Sequence, residues 1–143
     1  MRKPALAAWQ GDTAYRYGAR LYVEGFFWEA HEVWEAVWKA SSPNSVERLL
    51  LRGLIQLANA ALKLTMGRGN AALRLLIEAD ALLGDTAAAA GSEVAMGVGL
   101  APLRTAVQEL AASLGAGAEA DVTRILEALA AVAGGWTSAE TAL

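Results

Sequence analysis

Residues 46–66 read VERLLLRGLIQLANAALKLTM, and their periodicity decides the fold class. At about 100° per residue, Arg48, Arg52, Gln56, Asn59 and Lys63 fall within about 80° of arc, and the remainder is overwhelmingly apolar. A helix apolar on nearly three sides is central to a bundle, because that much hydrocarbon must be covered by neighbours. The surrounding composition agrees. Alanine and leucine favour helix, and only 3 prolines interrupt 143 residues. The expected fold is all-α, a compact bundle of about five to six helices built on two helical hairpins.

Working outward, Asp12 and Thr13 open a first helix that runs to Glu24, and Gly25 breaks it. A second helix, FFWEAHEVWEAVWKA, ends at SSPNS, where Ser45 caps the third. GRGN then turns the chain into a fourth helix that is expected to end near Gly84. The hairpins therefore occupy 12–84. Residues 85–101 are small and Gly/Ala-rich and read as a long loop on the bundle. Helices at 102–114 and 120–133 fill a C-terminal region, 102–134, before a tail at 135–143. The whole of 1–143 reads as one helical domain, of a length that can bury one sizeable core.

Charge and composition narrow the functions. The net charge is -3 and the basic residues are scattered, so there is no footprint for a phosphate backbone and no nucleic-acid partner is expected. No cysteine is present, which removes disulfides, thiol nucleophiles and thiolate metal sites. No stretch reaches the roughly 18 apolar residues of a membrane span, and the apolar N-terminal stretch is too short for a signal peptide. A cytoplasmic protein without a membrane partner is the expectation. The hydrophobic fraction of 55% points to a homodimer through exposed apolar surface.

The candidate chemistry lies in WEAHEVWEAVWK, residues 28–39. On a wheel, Phe26, Phe27, Ala30, Val33, Trp34, Val37 and Trp38 form the core face. His31, Glu35, Trp28 and Glu32 follow along one side, and Glu29 points to solvent. His31 and Glu35 are one turn apart and can meet. The stripe on the third helix would face this edge. Glu32 or Glu35 would then pair with Arg48 or Arg52, while Gln56 and Asn59 hold His31 or a carboxylate oxygen. Two functions follow. The first is a module that binds a small ligand or a protein through this His/Glu/Arg/Gln strip between two helices. The second is a small enzyme, such as a hydrolase, with His31 as general acid or base oriented by Glu35 or Glu32. Arg48, Arg52, Gln56 and Asn59 would hold an anionic or polar ligand. No cofactor is implied. No metal is implied either, because HEVWE lacks the second histidine of HExxH and the chain has a single histidine.

EGFFWEAHEVWEAVWKA, then RGLIQLANAALKL and RGN, resembles the domain-of-unknown-function 309 family of small bacterial and archaeal proteins. The motif positions are Glu29, His31, Glu32, Glu35, Trp38, Gly53, Gln56, Gly69 and Asn70, within a likeness spanning about Leu21 to Leu83. The resemblance implies a compact all-α fold and carries no established reaction. Two departures stand out: Lys63 occupies a place where such proteins often have an aromatic or histidine, and AALRLL follows Asn70 without a glycine-alanine pair.

Overall fold

The computed structural model describes residues 9–117. After a 3-10 turn at Trp9–Gly11 come α1 (Thr13–Val23), α2 (Phe27–Ala40), α3 (Val46–Thr65) and α4 (Gly69–Ala90). A two-stranded hairpin, β1 (Val94–Ala95) and β2 (Val98–Gly99), leads into α5 (Leu100–Gly115). Each helix packs chiefly on the next, so α2 and α4 flank α3. The fold of these residues is an all-α bundle built on two hairpins, as the periodicity predicts.

Local chemistry sets the element ends. The Asp12 carboxylate accepts from Tyr15 N at 2.9 Å and so satisfies one free amide of the first turn of α1. α1 stops in a Schellman motif: Gly25 has φ +89°, Gly25 N donates to Tyr22 O, and Phe26 N donates to Leu21 O. The end of α3 repeats it, with Gly67 at φ +73° and Arg68 N donating to Lys63 O. Both glycine turns expected from the sequence are therefore chain reversals. Between α2 and α3, Ser45 Oγ accepts from Arg48 N at 3.2 Å.

α3 supplies the core. Leu50, Leu51, Leu54, Ala58, Ala60 and Ala61 are fully buried, together with Trp34 and Ala30 of α2 and Leu83 of α4. Tyr22 packs edge-on against Phe27 at 5.3 Å and tilted against Trp34 at 5.5 Å. Burying a Leu-sized side chain stabilises by roughly 1.5–3 kcal/mol, so this face dominates the energetics. Phe26 departs from the expected core face: it precedes the first turn of α2 and is 49% exposed.

The expected loop over 85–101 is corrected. α4 continues through Gly84 to Ala90, where Gly91 at φ +62° ends it. Residues 94–99 form the hairpin and α5 begins at Leu100. The alanine run 87–90 favours helix, and Thr86 Oγ1 donates to Leu82 O at 2.7 Å. Gly84 is a place of close approach rather than a stop, because Arg104 of α5 lies against its α-carbon. Arg104 reaches Asp80 through Nε at 2.9 Å, and Gln108 Nε2 joins the same carboxylate at 3.1 Å. The hydrogen bond to Asp80 raises the Arg104 pKa above its already high value. The hairpin turns on Met96 and Gly97, both at positive φ, which is the geometry of a two-residue turn matched to strand twist. The expected helix at 120–133 and the tail lie outside the described residues.

Candidate functional site

α2 buries Phe27, Ala30, Trp34 and Val37 along one stripe and leaves its edge at the surface. On that edge His31 sits between two carboxylates of its own helix. Its Nε2 is 3.5 Å from Glu35 Oε2, and its Nδ1 is 3.8 Å from Glu32 Oε2. Glu35 also meets Lys39 Nζ at 3.5 Å. The His31 side chain is 22% exposed, yet Nδ1 itself is buried and hydrogen-bonds to nothing among the described residues. A 3.8 Å approach is too long to satisfy it. Helix periodicity thus brings His31, Glu32 and Glu35 together, as expected, with Trp28 beside them and 55% exposed.

The polar stripe of α3 goes elsewhere, which corrects the expected pairing. Arg48 donates from Nη1 to Trp38 O at 3.2 Å and to Ser41 O at 3.0 Å, and its guanidinium carbon lies 4.0 Å from the centre of a Trp38 ring. The last carbonyls of α2 lack intrahelical donors, and Arg48 supplies one. Arg52 approaches Glu78 of α4 at 3.9 Å. Gln56 Nε2 donates to Glu78 Oε1 at 2.8 Å, and Asn59 Nδ2 donates to Gln56 Oε1 at 3.0 Å. Glu32 and Glu35 therefore do not pair with Arg48 or Arg52, and Gln56 and Asn59 do not hold His31. The expected strip is two separate arrangements, one along α2 and one between α3 and α4.

Glu78 is the polar residue that the sequence reading missed. A signal existed. Gln56 and Glu78, 22 residues apart, stand symmetrically about Gly67, and in an antiparallel hairpin such positions face each other. Among the described residues no group of three or more His, Cys, Asp or Glu side chains is arranged to hold a metal ion.

With this geometry in view, the chain can be set beside known families. Residues 15–75 match DUF309, a domain of unknown function. The DUF309 match runs from Tyr15 in α1 to Leu75 in α4 and includes both glycine turns, so the resemblance read from the motifs is borne out. All seven candidate residues, from His31 to Asn59, lie inside the DUF309 segment. Glu78, the hairpin and α5 lie beyond it. No curated protein and no solved structure matches the chain. No helix of the described residues is long and apolar enough to cross a membrane.

Proposed function

We propose that this domain is a recognition module for another protein, and that the outer edge of α2 is its contact surface. One observation carries the reading: the Trp28 indole stands 55% exposed among the carboxylates of an otherwise well-packed helix. Trp28 is one turn from both His31 and Glu32, so indole, imidazole and carboxylates form one patch. Phe26, 49% exposed, extends it toward the α1–α2 turn. Tryptophan is the residue most often found as a binding anchor, surrounded by a polar rim. Here Glu29, Glu32 and Glu35 make the rim acidic, which fits a basic face on the partner.

The alternative is an enzyme using His31 as general acid or base, and the 3.5 Å contact with Glu35 is the observation in its favour. It also needs a substrate-sized recess beside the imidazole. The recess at the α2–α3 corner is lined by neither His31 nor either glutamate. Site-specific photo-crosslinking in the source cells tests the binding reading. A crosslinking residue at position 28 is expected to give one discrete protein adduct, lost when Glu32→Gln and Glu35→Gln are added. Adducts no different from those formed at Ala81, an exposed position on α4, would defeat it.

A further inference from the structure

Where α2 gives way to α3, Trp38, Asn44, Ser45, Arg48 and Arg52 line a cleft of about 240 Å³. Two guanidinium groups face this volume and no carboxylate lines it. From these features we infer that the cleft binds the phosphate group of a small phosphorylated molecule, a reading independent of the α2 edge.

The two arginines are one turn apart on α3 and so converge on one region of space. Arg48 is held in place before any ligand arrives. Its Nη1 is fixed by the carbonyls of Trp38 and Ser41, and its plane lies over the Trp38 ring. Nε and Nη2 have no acceptor among the described residues. Arg52 is less constrained: its side chain is 57% exposed, and its contact with Glu78 at 3.9 Å is too long for a hydrogen bond. A fixed fork beside an adaptable one suits a tetrahedral dianion, whose oxygens can accept from both. Phosphate offers more oxygens and up to twice the charge of a carboxylate, so it can engage both guanidinium groups with oxygens to spare for the neutral groups of the wall. Ser45 and Asn44 add neutral hydrogen-bonding groups at the wall, and the positive end of α3 adds to the field. Glu47 lies in the same first turn but outside the lining. The volume exceeds that of phosphate alone and leaves room for a small organic body.

Glu78 makes the inference specific, because it competes with the ligand for Arg52. Two-dimensional NMR of the full chain at constant ionic strength, titrated with inorganic phosphate and then glycerol 3-phosphate, reads the site directly. Shifts are expected at residues 44–52, with the organic ester binding more tightly than the bare ion. Arg52→Gln is expected to weaken binding about tenfold or more without changing Tm, since it removes one charge-assisted contact at an exposed position. Glu78→Gln is expected to tighten binding several-fold by releasing Arg52. Equal affinity in Arg52→Gln, shifts spread over all surface cations, or the same response to chloride would overturn the proposal. Binding to phosphatidate vesicles in place of the soluble ester would overturn the small-molecule assignment.

Discussion

Trp34 of α2 rests on the backbone of α1 at Gly18: a β-carbon there would stand 2.5 Å from the indole Cδ1 and 3.0 Å from Cε2. The indole cannot retreat, because it is fully buried and its Nε1 donates to Tyr15 O at 3.1 Å. Gly18→Ala is therefore expected to destabilise by about 2 kcal/mol, since overpacking outweighs the gain in helix propensity. Thermal unfolding should show a fall in Tm, and pairing the change with Trp34→Phe should recover part of it. An unchanged Tm would mean that α1 and α2 can separate at no cost.

Tyr22 gives the opposite expectation. Its hydroxyl is buried and without a hydrogen-bond partner among the described residues. Tyr22→Phe keeps the ring contacts and removes an unsatisfied group, so it should stabilise by about 1 kcal/mol. A loss of stability at neutral pH would reveal an acceptor.

The same residue carries a pH dependence. Burial pushes the Tyr22 phenol well above its ordinary value. A raised folded-state pKa means that stability is fully present below the unfolded value of about 10, and falls above it as the unfolded phenol ionises first. Urea unfolding at pH 8 and 10.5 should therefore show the advantage of Tyr22→Phe growing at the higher pH. A constant difference would place the phenol in contact with water.

Gly84 poses a balance between propensity and space. A β-carbon there would lie 3.0 Å from Arg104 Cζ and 3.1 Å from both Nη atoms. The obstacle is the end of a flexible side chain, yet that end is tied to Asp80. In an Arg104→Ala background, Gly84→Ala should recover roughly the whole 1 kcal/mol of helix propensity, and in the native background less. A double-mutant cycle by urea unfolding measures the difference, and zero coupling would mean that the guanidinium moves aside freely.

His31 and Glu35 meet at 3.5 Å on a partly exposed edge, a geometry that contributes little to folding. Glu35→Gln is expected to cost under about 1 kcal/mol in urea unfolding. A loss of several kcal/mol would identify the pair as part of an interior network and remove the edge from consideration as a binding surface.

Much of this was legible in the residues. The apolar breadth of residues 46–66 placed α3 at the centre, and the 3.6-residue repeat put His31 beside Glu35. Spacing about Gly67 sets Gln56 level with Glu78, but whether the polar stripe of α3 turns toward α4 or α2 was not legible. Periodicity reports positions around one helix axis, whereas the choice between α2 and α4 depends on how three helices rotate against one another. The Trp38 and Ser41 carbonyls at the end of α2 took Arg48, and Glu78 took Gln56. Gly84 misled for a similar reason: locally it resembles a stop, and the side chain that explains it, Arg104, comes from α5, beyond the β-hairpin.

The Tyr15 hydroxyl donates to Met96 O at 2.7 Å across 81 residues of chain. The main helix contacts join consecutive elements and can assemble by local zipping, whereas this clasp must wait for a long loop to close. It also joins the start of the DUF309 segment to a hairpin outside it. Opening it leaves the contacts between successive helices in place. The seam between α1 and residues 94–99 is thus where the fold should loosen first, with hairpin amides exchanging hydrogen ahead of those in α3.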